Sequence, residues 1–215
     1  MRTRTLSLTV VAVFALLLGA MAAWSLSKRN TPITGPQLTS GTPLYGELRP
    51  LPDFSLLDQE GQPFKNDRLQ DHWSFVFFGY THCPDICPTT LAILKDTLQE
   101  IEQNDDHVRT QVVFITVDPE HDDPLHLKSY VKYFHPQFIG VTGTPAAINA
   151  LTSDLGILHM KMPNPNDPKN YLINHTVTIL LIGPEGHVVA LFGAPHKAKS
   201  LADDFHTLRQ YYKRS

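Results

Sequence analysis

Cysteine is nearly absent from this chain. Its 215 residues hold two, Cys83 and Cys87. Two cysteines cannot build a multi-bridge disulfide framework, and no third exists to complete a cysteine-rich zinc site. Neither lies near the N-terminal apolar segment, which excludes a lipid anchor on a cysteine. Charge is also scarce: the net value is −3, with no basic stripe. Nucleic acid is therefore not an expected partner. No internal repeat is present, which excludes solenoids and propellers. The 11 histidines are scattered. Most fall in polar loops, where a solvated imidazole is the default.

The N-terminus carries a long apolar run. Arg2 and Arg4 precede an uncharged stretch over 6–26, and Lys28 and Arg29 follow it. About 20 such residues span a bilayer, whereas the apolar region of a cleaved signal peptide runs to about 7–15. Length favours an uncleaved anchor, although the triplet Ala20-Met21-Ala22 resembles a cleavage site and keeps processing open. Basic residues flank both ends, so orientation rests on the short basic N-terminus staying inside while the remainder is exported. A mitochondrial presequence fits poorly, because no Arg- and Ser-rich amphipathic stretch comes before the run. Residues 30–48 are rich in Pro, Gly, Thr and Ser and read as a tether. The expected plan is an anchor or signal peptide over 1–29, a flexible tether over 30–48 and one domain over 49–215.

From Leu51 onward, strand and helix patterns alternate. Short apolar or β-branched runs at 54–57, 74–79, 111–117, 138–141, 177–182 and 187–192 read as strands. Leu91, Leu94, Leu98 and Ile101 share one face of a helix over 88–103, with Pro88 suited to its first turn. Further helices are expected over 124–134, 144–155 and 198–212. Fully apolar strands separated by helices indicate an α/β sheet covered on both faces. The order strand, helix, strand, helix, hairpin, helix is that of a thioredoxin-like fold. The elements between Phe134 and Tyr171 form an insertion in it.

The stretch from Gly79 to Pro88 (GYTHCPDICP) follows a buried strand and enters a helix. In open α/β sheets, function collects at that strand end. A helix N-terminus favours a thiolate, and cysteines four apart across such a turn can aim both sulfurs at one point. They can close a disulfide or clamp a soft metal. A purely structural bridge is the weaker reading, because so short a loop removes little unfolded-state entropy.

Three segments together carry a resemblance: CPDICP at 83–88, VDPEHDDP at 117–124 and YLINHT at 171–176. In that order and context the chain resembles the Sco/SenC family, copper-binding assembly factors for cytochrome c oxidase. The resemblance implies copper, as Cu(I) or Cu(II), held by Cys83, Cys87 and His175. Soft thiolates favour Cu(I), and imidazole suits both states. Thioredoxins place a cis-proline before the strand that passes the cysteines. This chain has no proline between Lys169 and Ile182, and His175 occupies the neighbourhood instead.

Asp118 is expected at the same sheet edge, touching a ligand or a partner, or capping the turn that it begins. His82 is a weaker candidate ligand, and Asp85 a residue that shapes the turn. Asn174 and His121 depart from the family pattern, which commonly has Asp and Arg there. The implied function is a metallochaperone, not an enzyme, that delivers copper to the dinuclear centre of the oxidase's copper-site subunit. A periplasmic copper donor would load it, and the expected location is a bacterial inner membrane, single-pass, with the domain in the periplasm. The alternative is a membrane-tethered thiol–disulfide oxidoreductase that reduces the subunit's cysteines. A peroxidase is disfavoured, since no supporting Arg or Gln/Trp set accompanies Cys83.

Overall fold

The structure is a computed structural model that describes residues 16–21, 24, 35–44, 48, 50–104, 108–163 and 171–213. The chain divides into two compact units, 1–34 and 35–215. In the first, residues 16–21 and 24 are helical, and the rest of the apolar run expected to span a membrane lies outside the described residues. Among the described residues no helix is long and apolar enough to cross a membrane. The expected N-terminal membrane helix, and with it the placement as a single-pass inner-membrane protein, is therefore not carried by the structure.

The second unit is built on an eight-stranded mixed sheet. Its strands are β1 (Gly41–Pro43), β2 (Ser55–Asp58), β3 (Pro63–Lys65), β4 (Trp73–Gly79), β5 (Thr110–Thr116), β6 (Ile139–Thr142), β9 (Ile179–Ile182) and β10 (Val188–Phe192). They lie in the order β1-β10-β9-β4-β5-β6-β2-β3. β4 is central and buried along its whole length, which is why its sequence WSFVFFG shows no polar alternation. β5 runs parallel to β4, and β9 runs antiparallel to it, with Ile179 opposite Phe77. The end of β4, the end of β5 and the start of β9 therefore meet at one sheet edge. β7 (His159–Met162) and β8 (Leu172–His175) make a separate two-stranded sheet.

Among the described residues four α-helices complete this unit, α1 (Ile86–Asn104), α2 (Pro124–Phe134), α3 (Pro145–Asp154) and α4 (Ala198–Tyr212), together with a 3-10 helix at Asn66–Leu69. α1 begins two residues before the start read from the sequence, which brings Cys87 inside its first turn. The turn closes there because the Thr89 N–H donates to the Asp85 carbonyl at 3.2 Å. α1 buries Leu91, Leu94, Leu98 and Ile101, the face expected from their spacing. Asp123 and Thr144 cap α2 and α3 through the backbone N–H groups of His126 and Ala147, each ahead of a proline in the first turn.

β1 lies within the span read as tether. Buried Asp204 on α4 draws it in, accepting from the N–H groups of Thr39, Ser40 and Gly41 and from the Ser40 hydroxyl. Gly41 is needed there, because a Cβ would come within 2.5 Å of the Phe192 ring.

Candidate metal centre

Gly79, the last residue of β4, is followed by a turn that carries Cys83 and enters α1 at Cys87. Asp122 fixes the base of this turn. Fully buried, it accepts from the Thr81 N–H at 3.0 Å and from the hydroxyls of Thr81 and Thr116 at 2.6 Å each. A buried carboxylate is tolerable only with such partners. Gly79 makes room for the sulfur: a Cβ there would sit 2.8 Å from Cys87 Sγ and 2.8 Å from the Phe114 ring.

Both cysteines are free thiols, Cys83 9% exposed and Cys87 fully buried. The Cys87 N–H donates to Cys83 Sγ at 3.4 Å. His175 arrives from the end of β8, half-buried, with Nε2 3.3 Å from Cys87 Sγ. Its Nδ1 is 3.0 Å from the Thr176 carbonyl. A carbonyl can only accept, so Nδ1 carries the proton and Nε2 turns its lone pair toward the sulfurs.

The ligand atoms of Cys83, Cys87 and His175 all lie within 4.8 Å of one another, the only such trio of His, Cys or acidic side chains among the described residues. Metal–sulfur bonds are about 2.3 Å long, so a contraction of under about 1 Å would close the three on one ion. Two soft sulfurs and one imidazole suit copper. Three protein ligands leave the coordination open, unlike a closed structural zinc site.

The two thiols are electrostatically unequal. Cys83 is lowered to about 4, chiefly because the Cys87 thiol donates to it, with help from the N–H groups of Cys87 and Asp85 against burial. Cys87 is pushed far up by that same bond and by burial. The thiolate therefore belongs to Cys83, and the Cys87 proton is held between Cys83 and His175. Tyr80 joins the two parts of the site. Its buried hydroxyl accepts the Ile173 N–H of β8 at 3.2 Å, and its ring meets His175 edge-on at 6.0 Å. Burial raises this phenol above its usual range.

Asp118 lies at the expected sheet edge but away from the sulfurs. It is 2% exposed, accepts the Tyr171 hydroxyl at 2.7 Å and pairs with His121 Nδ1 at 2.8 Å. It thus secures the approach to β8 and does not touch the ligand trio. His121 uses its place to meet Asp118, with its ring 5.2 Å from Tyr171. His82 is exposed and outside the trio, its Nδ1 3.2 Å from the Thr81 hydroxyl. Asp85 is exposed, beside Thr89. Sequence reasoning misses Asp122 and Tyr80. Asp122 lies in a segment where every acid looks like a turn residue, and the one available hint for Tyr80 is its place next to the cysteine motif.

The SCO1/SenC family model matches residues 46–210. The chain belongs to the SCO1/SenC family. It is 34% identical to a SCO2-like protein of Rickettsia prowazekii over 203 residues, 91% of this chain and 94% of that one. It is 37% identical to the mitochondrial SCO1 homolog 1 of Arabidopsis thaliana over 161 residues, 74% of this chain and 47% of that protein. Among solved structures, Arabidopsis thaliana ScoI with copper bound matches with a TM-score of 0.71 at 35% identity, covering 76% of this chain and all of that one. The Sco relationship bears out the α/β, thioredoxin-like reading of the second unit and copper as its metal. The Sco relatives also correct the location read from the sequence. They include mitochondrial proteins, so Sco membership does not assign a bacterial inner membrane with a periplasmic domain.

Proposed function

We propose that this chain is a copper metallochaperone. Cys83, Cys87 and His175, all within 49–215, hold the copper, and the chain passes it to the dinuclear copper centre of cytochrome c oxidase. Sco proteins are described as cytochrome c oxidase assembly proteins. The observation that carries the reading is the imidazole 3.3 Å from the buried thiol, on the strand end where dithiol exchange alone requires no ligand. The copper is cargo. Cys83 offers a ready thiolate, Cys87 gives up its proton as it binds, and His175 presents the Nε2 lone pair in the tautomer that a metal needs. Incoming thiolates of the acceptor would displace the neutral imidazole first and the two thiolates afterwards.

The test is copper loading of the full chain with Cys83→Ala, Cys87→Ala and His175→Ala, followed by absorption and electron paramagnetic resonance. Loss of the parent's copper spectrum in each variant is expected. If all three hold copper as the parent does, the assignment fails.

One observation favours a second reading. A thiolate at Cys83 beside a protonated Cys87 is the asymmetry that dithiol–disulfide exchange needs. Cys83 would attack an acceptor disulfide, releasing one acceptor thiolate. Cys87 would lose its proton to solvent and resolve the mixed disulfide, releasing the second and leaving Cys83–Cys87 oxidised. His175→Ala separates the roles: copper delivery fails, while exchange survives.

A further inference from the structure

The chain has four methionines, Met1, Met21, Met160 and Met162. The second unit contains only the last two, and neither is in its core. Met160 is 61% exposed and Met162 is 46% exposed, both on β7. Methionine ordinarily fills irregular gaps in a core, so this placement calls for a surface role.

The hairpin register accounts for it. His159 stands opposite His175, Met160 opposite Asn174, Lys161 opposite Ile173 and Met162 opposite Leu172. Alternate residues point to opposite faces of a strand. One face thus holds His159, Lys161, Ile173 and His175: Ile173 is 5% exposed and turns inward, while the exposed Lys161 reaches Glu120 and Asp118. The other face holds Met160, Met162, Leu172 and Asn174 and stands open to solvent. Residues two apart on a strand are roughly 7 Å apart, and methionine has three rotatable bonds. Both thioethers can close on one ion. Neutral thioether sulfur is a soft donor that selects Cu(I). A groove of about 500 Å³ is lined by Leu158, His159, Met160, Asn174, His175 and Thr176. Met160 and His175 stand on opposite faces of the hairpin, and both border this groove at the hairpin's open end.

We infer that Met160 and Met162 form a second, weaker Cu(I) site, which receives the ion and passes it through this groove to His175 and the cysteines. The inference rests on the copper function proposed above. Thioethers carry no charge and thiolates do, so affinity increases inward and sets the direction of transfer. The ion stays Cu(I) throughout. Its bonds to the two thioethers break as bonds to His175 Nε2 and the sulfurs of Cys83 and Cys87 form. The Cys87 proton leaves to water.

The test uses the full chain and the double variant Met160→Leu/Met162→Leu, which keeps the face apolar and removes both sulfurs. In a Cys83→Ser/Cys87→Ser background, Ag(I) as a Cu(I) probe is expected to shift the methyl resonances of Met160 and Met162, leaving Met1 and Met21 as internal references. Leucine at both positions abolishes the associated binding. With the cysteines intact, the leucine variant reaches the same final copper content, but loads from a weak Cu(I) complex about tenfold more slowly, equivalent to about 1.4 kcal/mol on the barrier. If Ag(I) leaves both methyl signals in place, or the loading rate is unchanged, the inference is overturned, and the face is an apolar surface only. Failure of the copper function reads differently: the cysteine-intact parent would then take up no stoichiometric copper.

Discussion

The cysteine turn is fastened from beneath by a fully buried carboxylate, whereas His175 rides on a hairpin that forms a sheet of its own. On the first side, Asp122 ties the turn to β5, and β4 is locked between two neighbouring strands. On the second, β8 is joined to the sheet edge through side-chain contacts, from Tyr80 to Ile173 and from Asp118 to Tyr171. The thiols are thus pre-placed, and the imidazole is held by contacts that cost little to undo. For the copper carrier proposed above, this division would be useful. The soft anionic ligands stay fixed, and the neutral ligand is the one that can yield.

Damage to the fixed side should have the largest effect. Asp122→Ala strands two hydroxyls and an N–H, and should cost about 3 kcal/mol, read by denaturant unfolding of the full chain. Gly79→Ala drives a methyl into Cys87 Sγ and the Phe114 ring, for about 1–3 kcal/mol. It should also weaken copper binding in a competition titration, because the sulfur has to move.

Damage to the yielding side should be milder and local. Tyr80→Phe removes the acceptor of the Ile173 N–H and should cost about 1 kcal/mol. Hydrogen exchange should quicken in β7 and β8 and leave β4 and β5 unchanged. An equal acceleration in all four strands would erase the distinction between the two sides.

A separate test of the fixed side is the pH profile of the metal-free thiols. Cys83 is depressed in the folded chain, so its ionisation stabilises the fold above the unfolded thiol range, and this contribution is lost as pH falls through about 4. Thiolate absorbance at neutral pH should therefore persist well into acid and vanish near about 4. In Cys87→Ala, which lacks the donating thiol, it should vanish at higher pH.

The sheet is legible in the sequence because β4, β5 and β9 are covered on both faces, and a strand so covered has to be apolar at consecutive positions. The ligand trio is legible because three separated motifs imply a family whose site they compose. What stays hidden depends on partners far away in the chain. β1 is three residues without an apolar pattern, and it is a strand because Asp204, 163 positions beyond Gly41, holds it against β10. Asp118 looks like a neighbour of the cysteines, but its hydroxyl partner lies 53 positions on, and that bond directs it toward β8. Asp122 and Asp123 look alike in sequence, yet one is a buried clamp and the other an exposed helix cap.

The pairing of β7 with β8 also decides which chemistry the thiols meet. A slip of one residue would reverse every side chain of β8, so an amide from Asn174 would stand where the imidazole does. The same slip would lift Ile173 into water and press Leu172 inward against Tyr80. Burial alone is then nearly even, but the slip also carries Tyr171 along the strand by about 3.4 Å and breaks its 2.7 Å bond to Asp118, so Asp118, which touches no metal, keeps the right donor facing the sulfurs.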